Sequence, residues 1–157
     1  MNEAIFKNHS VGSAIVELAK QGNFVAVDTY IDLAVKGFEL ADGSSTRGYI
    51  YYQLQDAALG AALGGHIDQM YLYIKRAKIK PDNDGVIHRE YVLQGAMQGA
   101  GAVGNKKVIV SLAKKGANYK DALASAARED RINIIKWIFP ASKTVPSDYL
   151  KEAARGA

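Results

Sequence analysis

Apolar residues recur at three- and four-residue steps along most of this chain. In the segment REYVLQGAMQ, for example, the apolar positions are Tyr91, Val92, Leu93, Ala96 and Met97. This spacing is typical of one face of an amphipathic α-helix. Similar segments lie on both sides, separated by polar or glycine-containing stretches, so the pattern predicts an all-α fold of short helices joined by turns.

An internal comparison indicates that the helices come in related pairs. Shifting the chain by 39 residues aligns Tyr52–Gly65 with Tyr91–Gly104, and seven of the fourteen positions are identical. Each copy is followed by a short turn and a second amphipathic segment. One pair alone would leave an apolar face in water, so we expect neighbouring pairs to stack on each other.

Further pairs are predicted before and after these two copies. The predicted turns lie at Gly22, Gly65, Gly104 and Asp130, with a fifth at Ala157 by extrapolation. Their unequal spacing predicts an irregular array rather than a tandem of identical modules. We predict one domain over residues 1–157, with units at about 4–37, 47–79, 86–117 and 118–140 and a terminal helix at about 147–156.

Three segments together resemble the core of the ankyrin repeat: AALGGHIDQMYLYI, VGNKKVIVSLAKKGAN and ASAAREDRINIIKWIF. They share two small residues, a turn and an amphipathic second helix. One of them also closes with Lys-Gly-Ala-Asn, as ankyrin repeats do. The resemblance covers Ala14 to Phe139. It implies a helical-repeat solenoid of about four helix-turn-helix units plus a C-terminal half unit, and a non-enzymatic role in binding proteins.

The chain also departs from the ankyrin pattern. The family's opening Thr-Pro-Leu-His is missing from every unit, so we expect no β-finger loop between the third and fourth units, and longer helices or loops earlier. The resemblance implies that His66 braces its turn. Gly37 and Gly116 each follow a lysine at the end of an amphipathic run, which predicts helix ends there.

Small residues are expected where neighbouring helices approach closely, and larger apolar residues are expected to form the buried stripe. The expected small positions are Ala61, Ala62, Ala100, Gly101, Ala126 and Ala127. The expected buried stripe is Leu54, Leu93, Met97 and Leu123.

An alternative interpretation comes from GAGAVG at Gly99–Gly104, which matches the dinucleotide-binding pattern G-x-G-x-x-G. That pattern requires a strand running into Gly99 and a helix leaving from Gly101. The preceding residues have helical spacing instead, and Ala62 replaces the middle glycine in the related copy. A nucleotide-binding protein or enzyme that uses this segment stays as the alternative.

The amino-acid composition excludes several kinds of functional site. The chain has no cysteine, which excludes disulfides and thiolate metal sites and fits a reducing compartment. Its three histidines have no partner at metal-site spacing, and no catalytic constellation is recognisable, so we expect no catalytic residues, cofactor or metal. The formal charge is +4, and its densest basic tract, Lys75–Lys80, is expected at an exposed helix end rather than on nucleic acid.

The chain has no apolar segment near the roughly 20 residues that span a bilayer, and no secretory signal begins it. We therefore expect a soluble, cytoplasmic monomer without a membrane span. Repeats this degenerate, by resemblance, also suggest an effector that acts in the cytosol of a host. The incomplete fifth unit suggests an adaptor segment of a longer chain.

Tyrosines are concentrated in the second and third units, and helical geometry prevents all of them from facing the core. Tyrosine is favoured in binding patches because its ring is rigid and apolar while its hydroxyl is polar. An alternative role is to cover the extended loops. The candidate contacts for an unidentified protein partner are Tyr49, Tyr51, Tyr52, Gln55, Tyr91, Gln94 and Gln98.

Overall fold

The computed structural model describes the backbone of residues 10–42, 47–77, 79–80, 85 and 87–141, and the side chains of 14–33, 51–77, 79–80, 85 and 87–139. All regular structure in these ranges is helical, which confirms the all-α prediction. The eight helices described are α1 (Ser10–Lys20), α2 (Phe24–Asp42), α3 (Arg47–Leu63), α4 (Ile67–Arg76), α5 (His88–Val103), α6 (Lys106–Lys114), α7 (Tyr119–Arg128) and α8 (Ile132–Ala141).

The helices pack as successive pairs. In each pair a first helix (α1, α3, α5 or α7) turns back into a second helix (α2, α4, α6 or α8). The first helices pack against one another in chain order, α1 on α3, α3 on α5 and α5 on α7. Each of α2, α4 and α6 also contacts the first helix of the following pair. The main core therefore lies between the first helices and under the second ones.

The four predicted turns within pairs share one backbone conformation. Gly22, Gly65 and Gly104 have φ of 82°, 77° and 75°, and Asp130 has φ of 56°. In each turn the next residue's N–H donates to a carbonyl five residues back, as His66 does to Ala61 at 2.8 Å. This is the Schellman arrangement, which satisfies carbonyls that a helix end would leave without partners. These predicted turn positions are confirmed.

The first helices approach one another so closely that some positions have no room for a side chain. A Cβ on Gly60 would overlap the carbonyl oxygen of Val16, one on Gly95 that of Gln55, and one on Gly101 that of Ala122. The small residues and the apolar stripe predicted for this interface are all buried. Burial of this apolar surface, at about 25 cal/mol per Å², is the main stabilising contribution.

The predicted helix end at Gly37 is wrong, because α2 continues through this glycine to Asp42. One glycine inside a helix costs only about 1 kcal/mol, which the turns on either side can offset. The sequence DGSSTRG at Asp42–Gly48 also predicts a connector, but Asp42, Arg47 and Gly48 are helical, so any connector there is shorter than this stretch. Gly116 does follow a helix end and has φ of 104°, as predicted.

As predicted, the connection between the third and fourth pairs is short and the earlier helices are longer. Only residues 115–118 separate α6 from α7, so no β-finger projects there. The earlier helices α2, α3 and α5 have 19, 17 and 16 residues, against 10 in α7. The predicted terminal helix at 147–156 and the turn at Ala157 lie outside the described residues.

Candidate functional site

The first helices α3 and α5 expose matching strips of side chains. On α3 the strip is Tyr52, Gln55 and Leu59, and on α5 it is Tyr91, Gln94 and Gln98, each at three- to four-residue steps. Each α5 residue lies 39 positions after its α3 counterpart, the offset of the internal repeat in the sequence. We call these six residues the Tyr–Gln face.

A cluster of aromatic rings lies at one end of this face. The Tyr51 ring centroid lies 4.2 Å from that of Tyr52, 4.7 Å from that of His88 and 4.8 Å from that of Tyr91. Tyr51 is only 9% exposed, whereas its neighbour Tyr52 is 46% exposed. Tyr51 is therefore the buried ring against which the others pack, and Tyr52 has the more solvent-exposed ring of the two. The side chain of the predicted Tyr49 lies outside the described residues.

Amide groups connect the middle of the face. Gln55 Nε2 donates to Gln94 Oε1 at 3.4 Å, and Gln94 Nε2 donates to Asp121 Oδ1 at 3.4 Å. These bonds are long, and therefore weak individually, but they join α3, α5 and α7 in a row. Sequence reasoning missed Asp121. Asp121 lies 27 residues after Gln94, close to the spacing between the turns at Gly104 and Asp130. This spacing could have indicated that Asp121 lies beside Gln94 on the next first helix.

Asp56 lies beside the Tyr–Gln face on α3, on the side that approaches α1. Gly60, one helical turn further along, packs against the α1 backbone. Burial raises the pKa of the Asp56 carboxyl to about 6, because a buried carboxylate loses favourable interactions with water. This acid therefore titrates much nearer to neutrality than an exposed aspartate, which the sequence pattern did not predict.

The residues Gly99–Gly104 do not form a phosphate-binding loop. Gly99 and Gly101 lie within α5, where they pack against the backbones of α3 and α7. Gly104 ends α5 as its left-handed C-cap. Where the structure is described, no strand runs into Gly99. The glycines at Gly99 and Gly101 thus serve helix packing, because a Cβ at either position would overlap atoms of the neighbouring helix.

The basic tract begins at the end of α4, as expected, with Lys75 and Arg76 in its last turn. Lys75, Arg76 and Lys80 are exposed. Arg76 Nη1 lies 2.8 Å from Asp28 Oδ1, so it joins α4 to α2 rather than standing free.

Among the residues that the structure describes, no three or more His, Asp or Glu side chains converge as a metal site would require. None of the helices in the described part of the chain has the length and apolar character needed to cross a membrane.

Comparison with known proteins gives no family assignment: no protein-family model, curated protein or solved structure matches the chain.

Proposed function

We propose that this chain is a non-enzymatic protein-interaction module, built as an ankyrin-like helical solenoid, that holds a protein partner on its Tyr–Gln face. The observation that carries the proposal is the matched register of this face. Tyr52 lies beside Tyr91, and Gln55 beside Gln94, on neighbouring helices that repeat at the same sequence offset. Stacked units of this kind use such surfaces to hold extended partners.

Two equivalent contacts between successive turns support a repeating unit. His66 Nε2 lies 3.1 Å from the carbonyl oxygen of Lys20, and Arg131 Nε donates to the carbonyl oxygen of Ala102 at 3.0 Å. His66 and Arg131 each come directly after the left-handed residue of their own turn. The carbonyl groups of Lys20 and Ala102 each lie two residues before the left-handed residue of the preceding turn, which is Gly22 or Gly104. The same side-chain-to-carbonyl contact therefore connects the first pair of helices to the second and the third pair to the fourth.

The chemistry of the face favours a protein partner. Its tyrosine rings provide apolar area at low entropic cost, because Tyr51 packs against both Tyr52 and Tyr91 and restricts them. Its glutamines offer both donors and acceptors to a partner backbone. It contains no lysine or arginine, which a nucleic-acid surface requires for phosphate contacts. The proposed form is a cytoplasmic monomer, or a segment of a longer adaptor or effector.

The test is affinity capture with a double variant of the face and a control variant elsewhere on the surface. The double substitution Tyr52→Ala and Gln98→Ala removes side chains from opposite ends of the face, whereas Val25→Ala removes an 80% exposed side chain on α2. We expect proteins captured by the wild type to be lost with the double variant and retained with Val25→Ala. Capture that is indifferent to the double variant would contradict the proposal. Tyr51 is unsuitable as a binding probe because its burial makes truncation a stability defect.

Calorimetry addresses the alternative, a nucleotide-binding protein or enzyme. Titration with nicotinamide and adenine nucleotides at millimolar concentration should give no heat of binding. A saturable heat of binding with one of these nucleotides would favour the nucleotide alternative instead.

A further inference from the structure

The lysines at the start of α6 oppose its helix dipole. The helix begins with Lys106 and Lys107 and carries no acidic residue in its first turn. Of the other described helices, α4, α5 and α7 carry Asp68, Glu90 and Asp121 there, whereas α1, α2, α3 and α8 carry no acidic residue in the first turn. Acidic residues stabilise the positive end of a helix and lysines do not. The two lysines at the start of α6 are therefore not explained by the stability of the helix.

A second pair of lysines ends the same helix. Lys114 lies in the last turn of α6, Lys115 follows it, and no acidic residue lies between Lys106 and Lys115. None of these four lysines forms an ion pair with another residue in the described part of the chain. Helix α6 thus carries two lysines at each end and no acidic residue between them.

A groove lies along this side of α6. It has a volume of about 500 Å³ and, between its lysines, an apolar floor formed by Val110 of α6 and Trp137 of α8. We call it the lysine groove, and its lining residues are Lys106, Lys107, Val110, Ser111, Lys114 and Trp137.

Aromatic rings contact one lysine at each end of α6: Lys106, which lines the groove, and Lys115, which lies beside it. Lys106 Nζ lies 5.8 Å from the centroid of the Trp137 ring, and Lys115 Nζ lies 5.5 Å from that of the Tyr71 ring. The Tyr71 hydroxyl in turn donates to Ser111 Oγ. Cation–π contacts of this kind restrict the lysines, which lowers the entropic cost of engaging an anion.

We propose that the lysine groove binds an acidic segment of another protein in an extended conformation. Lys106 and Lys114 are eight positions apart, about 12 Å along a helix. An extended chain covers that distance in about four residues. A fitting segment places one acidic pair near Lys106 and Lys107, an apolar side chain on Val110 and Trp137, and a second acidic pair near Lys114 and Lys115.

A peptide fits this surface better than other polyanions. The apolar floor lies between the charges, where an apolar side chain between two acidic pairs would reach it and a phosphate backbone would leave it unused. Lipid headgroups present anionic groups with no apolar side chain beside them, so a bilayer surface would meet the lysines and leave Val110 and Trp137 uncovered. The lysine groove is formed by second helices, whereas the Tyr–Gln face is formed by first helices, so the two proposals succeed or fail separately.

The test uses the peptide Gly-Glu-Glu-Gly-Leu-Glu-Glu-Gly with the whole chain. Trp137 is the only tryptophan, so its fluorescence reports directly on the groove. We expect a saturable change in its emission that weakens as salt rises from about 50 to about 300 mM. A peptide with glutamine in place of every glutamate should give no change, and one with glycine in place of leucine should bind more weakly.

Two double variants with the same loss of charge locate the site. Lys106→Gln with Lys107→Gln should weaken binding by about tenfold, the size expected for two exposed ion pairs. Lys75→Gln with Lys80→Gln, at the exposed end of α4, should change it by less than about twofold. Thermal unfolding of the first variant should be unchanged or higher, because it removes cations from the positive end of α6.

Several results would overturn the proposal. These are no change in Trp137 emission at about 1 mM peptide, equal weakening by both double variants, or binding of the glutamine peptide. Tighter competition by a single-stranded oligonucleotide or by phosphatidylserine vesicles than by the acidic peptide would assign the groove to those ligands instead.

Discussion

The imidazole Nε2 of His66 lies 3.1 Å from the backbone carbonyl oxygen of Lys20, a residue 46 positions earlier in the chain. Lys20 ends α1, where the last carbonyls have no partner within the helix. His66 thus occupies the turn of the second pair while it satisfies the helix end of the first. Its ring also packs edge-on against Phe24, with centroids 5.3 Å apart. The side chain joins two pairs by polar and apolar contacts together.

Replacement of His66 by alanine should therefore lower the free energy of unfolding by about 1–2 kcal/mol, through one lost hydrogen bond and lost contact with Phe24. Urea denaturation measures this change. Lys75→Ala, at an exposed position on α4, is the control and should stay within about 0.5 kcal/mol of wild type. Equal stability of the two variants would mean that the contact between turns contributes nothing.

Asp130→Gly should stabilise the protein. Asp130 is the only non-glycine residue with positive φ in the described part of the chain, and glycine occupies the three equivalent turns. Relief of this strained conformation should add about 0.5–1 kcal/mol and raise the melting temperature by a few degrees. The adjacent Glu129→Gly should act in the opposite direction, because Glu129 has φ of −93° and gains nothing from glycine. Melting temperatures that fall for both variants would refute this account.

Gly95→Ala should destabilise the protein, although the same change in an exposed helix would stabilise it by about 1 kcal/mol. A Cβ at this position would overlap the carbonyl oxygen of Gln55 and force α3 and α5 apart. We expect a loss of about 1–3 kcal/mol in urea denaturation. Gln98→Ala on the same helix, where the side chain is half-buried, should change stability by less than about 0.5 kcal/mol. A stabilised Gly95→Ala variant would show that the two helices are not in close contact.

Asp56 should make stability depend on pH in a defined direction. Its pKa is raised from 3.8 to about 6 by burial, so the folded state holds the proton more tightly than the unfolded state does. This contribution is fully present below pH 3.8 and is lost as the pH rises through about 6. Asp56→Asn should therefore be more stable than wild type at pH 7, by about 2 kcal/mol after allowance for partial exposure.

Urea denaturation of both proteins between about pH 4 and pH 7.5 checks this pH dependence. The advantage of Asp56→Asn should grow with pH over that range. Asp68→Asn, at an exposed position in the first turn of α4, serves as the control and should show no such gain. A difference between wild type and Asp56→Asn that is independent of pH would contradict the raised pKa.

Local chemistry made most of the helix and turn predictions possible. Amphipathic spacing and left-handed helix ends depend on residues within one or two helical turns of each other. The sequence therefore predicted the turns at Gly22, Gly65, Gly104 and Asp130. The 39-residue offset also aligns Gln55 with Gln94 in the sequence, and these two side chains lie beside each other in the structure. Gly37 failed as a predicted helix end because a glycine allows a turn but does not require one.

By itself, then, the sequence determined that the described chain is helical and where its helices reverse, because short-range spacing and backbone conformation decide both. Only the tertiary structure decided that Tyr51 is buried while Tyr52 is open, that His66 reaches Lys20, and that Trp137 completes a groove with the lysines of α6. Each of these facts depends on how separate helices pack against one another. Burial and pairing across tens of residues are set by that packing, which no local pattern of residues specifies.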